Sequence, residues 1–176
     1  EDTLNYARAP MPRLRAEVLL DSIHAALSLP GNFKRYQGVT RAGALPGIEG
    51  AYLENKPHHD DRFLRLFGKP PRLINSDAER LNDTSLAQVF ELTSGQMLTA
   101  LLEAKGNRLD KLLAANSSDS DLLAKLYWST ITRGPTAPER KAMLSLLHNK
   151  TDDEKRNALQ DIAWALINSK EFMFRH

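Results

Sequence analysis

The sequence predicts an all-α fold: a single-domain helical bundle of about six helices with a long irregular N-terminal third. Two observations carry this. Apolar residues recur at a 3.6-residue period through most of the chain after residue 85, and helix-start signals of one kind appear three times. Ser85 with Gln88, Thr136 with Glu139 and Thr151 with Glu154 each pair a hydroxyl N-cap with an acid or amide three residues on. Between residues 32 and 57, by contrast, neither the helical nor the strand period is sustained.

Taken in order, residues 1–12 hold two prolines and no period, and read as an extended arm. The abrupt start suggests a piece of a longer chain. Pro12 opens a helix whose stripe is Leu14, Val18, Leu19, Ile23, Ala26 and Leu27, and Leu29-Pro30-Gly31 stops it. Glycines at 31, 38, 43, 47 and 50 and prolines at 30, 46 and 57 then break up the chain. A loop of that length wraps something or has a function, and residues 40–46 suit a short extended piece packed on the first helix.

Residues 60–95 read as a hub within the domain spanning 13–176. Phe63, Leu64, Leu66 and Phe67 form a short apolar helical turn closed by Gly68 and two prolines, and the acid/base cluster Asp77, Glu79 and Arg80 leads into the longest helical pattern. That pattern runs from Ser85 to about Ala104, with Gly95 inside it as a kink, break or close backbone approach. The C-terminal bundle, 85–174, continues with helices over 108–115, 121–133, 136–147 and 151–167.

Composition excludes several functions. The 176 residues carry 24 Lys+Arg against 22 Asp+Glu, interspersed, so no charge tract points to nucleic acid or an anionic membrane. The absence of cysteine removes disulfides, thiol nucleophiles and Cys-ligated metals. No apolar run reaches the ~18 residues of a membrane span. Nucleophile elbows, phosphate loops and the HExxH pattern are all missing. No catalytic residue, cofactor or metal site is therefore assigned.

What remains is a candidate polar hub of His59, Asp61, Asp77, Glu79 and Arg80. His58-His59-Asp60-Asp61 is the one cluster whose residue types suit a metal or acid/base work, yet adjacent side chains diverge. The simpler reading is a solvated loop in which Asp60 or Asp61 caps the Phe63 helix. Glu79 and Arg80, with Arg72 or Arg133, read as an ion-pair network pinning the central loop. Tyr127, Trp128 and Trp164 suit either core packing or a sugar-stacking platform; Tyr127 faces inward beside Leu123 and Ile131, whereas Trp128 is one step round. Asn168, Ser169 and Glu171 read as a polar turn that folds Phe172 and Phe174 back onto the bundle.

The segments FLRLFGKPPR (63–72), AERLNDTSLAQVFELTSG (78–95), LYWSTITRGPTAPER (126–140) and WALINSKEFMF (164–174) resemble, in this order, a planctomycete-specific C-terminal domain of unknown function. MPRLRAEVLLDSI and GVTRAGALP resemble its upstream part, so the similarity covers roughly residues 13–174. That family occurs in large secreted bacterial proteins that often carry cytochrome-c-like segments. Where its pattern has Cys-x-Cys-Glu-Arg, this chain has Ser76 and Ala78 followed by Glu79 and Arg80, so a role for the cysteine pair is absent. The resemblance implies a helical, extracytoplasmic protein, periplasmic or secreted, and no reaction. The leading expectation is a non-catalytic interaction module contacting other domains of its parent chain or a partner protein, with an exposed apolar patch near the arm or residues 32–57. The alternative is a metal- or carboxylate-dependent enzyme, or a carbohydrate-binding domain, acting on polysaccharide.

Overall fold

The computed structural model describes residues 13–33, 36–48, 57–71, 85–115 and 117–174. Among them the protein is helical throughout and has no strand. Eight helices of seven residues or more are present: α1 Ala16–Leu27, α2 His59–Leu66, α3 Leu86–Ser94, α4 Gln96–Glu103, α5 Arg108–Ala114, α6 Asp119–Ile131, α7 Ala137–Leu147 and α8 Asp152–Ile167. A closing turn, α9 (Lys170–Met173), follows. The all-α class stands, while the expected count of about six is too low for two physical reasons. The segment around Phe63 is a full helix beginning at His59, and the helix expected over 85–104 is two.

The break between α3 and α4 is at Gly95, whose backbone is extended (φ −71°, ψ 150°) and whose N–H still bonds the Glu91 carbonyl at 3.0 Å. A Cβ at this position would stand 2.1 Å from that carbonyl oxygen and 2.7 Å from the Glu91 carboxylate. No side chain larger than hydrogen fits without moving the backbone, so glycine is required by close approach rather than by a left-handed φ.

All three capping boxes form, each with reciprocal bonds between cap and third residue. Ser118 caps α6 and Asn107 caps α5. The Asn107 amide also donates to the Leu101 and Leu102 carbonyls at the end of α4, so one buried side chain closes one helix and opens the next. The first helix has its end satisfied from a distance. Arg108 donates to the carbonyls of Ala25 and Ala26, and Lys111 to that of Ser28, placing cations at the negative end of α1.

One hydrophobic core joins both halves, with Leu19, Leu20, Ile23, Leu27, Phe63, Leu64, Met97, Leu98, Leu109, Leu123, Leu126, Leu159 and Ile167 at its centre. The stripe on α1 is turned by about one residue from the expected one: Val18 faces solvent, and Leu20 and His24 point inward. Residues 40–46 pack on α1 as expected, although as a 3-10 turn (Ala42–Ala44) rather than an extended piece. Its first N–H groups are held by the Asp21 carboxylate at 2.6 and 3.0 Å, and Ala42, Leu45 and Ile48 are buried. The two ends of the described chain meet where Leu14 N–H bonds the Met173 carbonyl at 2.9 Å and Arg13 pairs with Phe174.

The C-terminal helices are tied by Arg133. All five of its N–H donors are used: on both oxygens of Glu171, on both oxygens of Glu139, and on the Gly134 carbonyl. Arg133 therefore links the end of α6, the start of α7 and α9; the pairing with Glu79 that the sequence suggests involves a residue outside the described ones. Asp77, Glu79, Arg80 and Arg72 lie outside the described residues, as does the arm over 1–12. Tyr127 is buried beneath Arg133, whose guanidinium carbon is 5.8 Å from the ring centre, and Phe172 folds onto the core as expected.

Hydrogen bonds from Arg133, and then from the Thr136 backbone, hold the Glu139 carboxyl down at about 2. Its folded value lies below its unfolded one, so its contribution is present above the ordinary carboxylate range and is lost as pH falls toward 2. Denaturant unfolding of the parent protein and of Glu139→Gln between pH 6 and pH 2 checks this: the parent's advantage shrinks below about pH 4.5 and vanishes near pH 2.

Candidate functional site

The polar cluster of the protein lies where α2 begins. His58, in extended conformation before the first helical residue, is the N-cap but makes no side-chain cap bond. Asp60 and Asp61, expected as caps of a solvated loop, instead sit inside the first turn and are buried, Asp60 completely. The expectation fails because tertiary partners claim the Asp60 carboxylate. His59 Nδ1 is 2.9 Å from Oδ1, the Asn32 N–H donates to Oδ2 at 3.1 Å, and His24 Nε2 of α1 stands 3.4 Å from Oδ2.

A fully buried carboxylate is costly unless it is paired and hydrogen-bonded. Here burial alone would raise the Asp60 pKa. The close approach and charge of His24, the bond from His59 and the Asn32 N–H outweigh it, and the carboxyl is held well below its usual range. Two acids in the first turn of α2 also complement the positive end of the helix. Asp60 thus joins α1, the residue after Gly31, and α2 through a single ionised group.

Three of the chain's five histidines surround this carboxylate. The rings of His58 and His59 lie 3.9 Å apart, and ligand atoms from His58, His59 and Asp60 all fall within 4.8 Å of one another. His24 is buried, and neither ring nitrogen has a hydrogen-bond partner among the described residues; the 3.4 Å approach to Asp60 is within ion-pair range but long for a bond. Asp61 does not join the group of ligand atoms.

A second polar feature was not legible in the sequence. Glu91 of α3 is almost fully buried, with neither carboxylate oxygen hydrogen-bonded among the described residues, and its charge is met by Arg62 of α2 at 3.1 Å. It lines a cleft of about 400 Å³ with Arg62, Leu66, Phe90 and Ser94, directly beside the Gly95 break. Glu91 falls in an ordinary helical pattern, and no local signal marks it for burial. The nearest clue was Gly95 itself, whose missing side chain makes room for the carboxylate.

An exposed apolar ridge lies on α3, while much of the region where a patch is expected, the arm and parts of 32–57, lies outside the described residues. Leu86 (71 % exposed), Val89 and Phe90 (59 %) stand at i, i+3 and i+4 on the outer face of α3. Trp164, partly exposed, reaches across from α8 to donate to the Thr93 carbonyl at the end of the same helix. Within residues 36–48 no large apolar side chain is exposed. Trp128 is exposed, as its helical position suggests.

Compared with protein-family models, with curated proteins and with solved structures, the chain matches none. No described helix is long and apolar enough to cross a membrane.

Replacing Asp60 by Asn keeps the shape and removes the charge, leaving His24 and His59 facing a neutral group. Breaking a buried pair in this way lowers stability by about 3 kcal/mol. Denaturant unfolding at pH 7 measures it. An Asn variant as stable as the parent contradicts the assignment of Asp60 as an ionised tie.

Proposed function

We propose that this chain is a non-catalytic helical interaction module of a larger extracytoplasmic bacterial protein, of the kind that the planctomycete resemblance describes. The observation that supports it is the apolar ridge of Leu86, Val89 and Phe90 on α3. Scattered exposed apolar side chains are ordinary, whereas three neighbours on one helical face with a tryptophan alongside mark a contact surface. The ridge borders the cleft that holds Glu91 and Arg62, so apolar area and a charge pair stand side by side. Interfaces of this composition place aromatic anchors at the centre and charged groups at the rim. The partner on this reading is another domain of the parent chain or a separate protein, and neither nucleic acid nor a membrane span is involved.

The alternative, an enzyme or binding domain acting on polysaccharide, draws support from two places. Trp128 presents its ring to solvent at 60 % exposure, and the His58–His59–Asp60 group has the residue types of a metal or acid/base centre. The two features lie on different elements, which favours the interaction reading.

A photo-crosslinking residue placed at position 90, with Lys141 on the exposed face of α7 as control position, tests the proposal in cells that make the parent protein. A discrete adduct from position 90 alone, lost when Val89→Lys is added, is the expected result. The same diffuse labelling from both positions contradicts a docking role for α3.

A further inference from the structure

We propose that His58, His59 and Asp60 form a binding site for a first-row divalent transition cation, of which Zn²⁺ is the representative, with His24 as a positioning residue behind it. The inference is independent of the α3 ridge and goes beyond the interaction reading.

Donor chemistry comes first. Two imidazoles and a carboxylate are the ligand set that suits zinc and its neighbours, and no cysteine competes for the ion in this chain. The donors are already gathered, because their ligand atoms lie within 4.8 Å of one another. Around an ion with bonds of about 2.0–2.1 Å, tetrahedral ligands stand about 3.4 Å apart. His59 Nδ1 and Asp60 Oδ1, at 2.9 Å, are already as close as such a pair needs to be, so adjustment falls mainly on His58. Sequence adjacency, which argues against a site in a regular helix, is overcome because the backbone changes conformation at this point. His58 is extended at ψ 150°, while His59 and Asp60 are the first helical residues.

The second observation is the division of labour on the Asp60 carboxylate. Oδ2 is held from behind by the Asn32 N–H and approached by His24, whereas Oδ1 is turned to His59. Metal-bound carboxylates are typically fixed in this way through the oxygen that faces the protein. His24 supplies the independent sign: it is a buried side chain, only 5 % exposed, aimed at Asp60 with neither ring nitrogen hydrogen-bonded among the described residues. With a cation on the Oδ1 side, His24 still faces Oδ2 and holds the carboxylate from behind. Burial is graded across the site, since Asp60 is closed off while His59 is 30 % exposed. Three protein donors with one side open to solvent leave a fourth coordination position for water, the arrangement of an exchangeable or reactive metal rather than a closed structural one.

The test is calorimetric titration of Zn²⁺ into the 176-residue chain, paired with the visible absorption of bound Co²⁺. The expected result is one ion per chain, with His59→Gln and His58→Gln each weakening binding at least tenfold. His24→Gln weakens it about 10–100-fold while leaving the far-ultraviolet circular dichroism of the metal-free protein unchanged. His148→Gln, at the end of α7 and away from the cluster, leaves affinity and the Co²⁺ spectrum as they were. Absence of binding at millimolar Zn²⁺, or binding that survives His59→Gln and His58→Gln unchanged, or equal loss in His148→Gln, overturns the assignment. None of these results bears on crosslinking from position 90, so the two readings fail separately.

Discussion

The N-terminal half of this protein depends on keeping one carboxylate charged where water cannot reach it. Asp60 has no exposed surface, and a lone ion in that position would be neutralised or expelled. It is retained because its two oxygens are shared among three elements: α1 through His24, the turn after α1 through Asn32, and its own helix through His59. These contacts determine how α1 and α2 can sit. His24 must face inward, which turns the stripe of α1 so that Leu20 enters the core and Val18 leaves it. Phe63, one turn after Asp60, then falls into the core and stacks on Phe67 at 4.1 Å, and Arg13 lies over that second ring.

The C-terminal half is built on a different principle. Its helices begin with their own caps, so each start is fixed by residues within three positions of one another. Arg133 then adds the long-range tie, using planar bidentate geometry on two carboxylates that sit 6 and 38 residues further along. This knot is partly open to solvent and serves orientation more than burial, since exposed ion pairs contribute little unless they form such a network. The buried tie at Asp60 and the wetter tie at Arg133 hold different layers of the same core.

This contrast explains what could be read from the residues. Capping boxes are local, and all three formed as read. The fate of Gly95 was also local, because a glycine inside a helical run asks for a break or a close approach, and both occur there. The rotation of α1 was not legible, since Val18 and Leu20 are equally apolar and only His24's distant partner decides between them. For the same reason Asp60 reads as a surface cap: its sequence neighbours are polar, and the partners that bury it come from residues 24 and 32. Of the candidate hub, His59 and Asp61 fall in the described structure, and only His59 joins the cluster. Glu91 carried no signal beyond the nearby glycine, because a helical glutamate is solvated far more often than buried.

His24 and Asp60 couple α1 to α2, and a double-mutant cycle measures that coupling directly. His24→Gln, Asp60→Asn and the double variant are compared with the parent by denaturant unfolding at neutral pH. A buried pair that ties two helices predicts an interaction energy of about 1–3 kcal/mol, with the double variant less destabilised than the sum of the single ones. Additive effects, with an interaction energy within about 0.3 kcal/mol of zero, would mean that the two side chains are independent and that Asp60 does not organise this half of the fold.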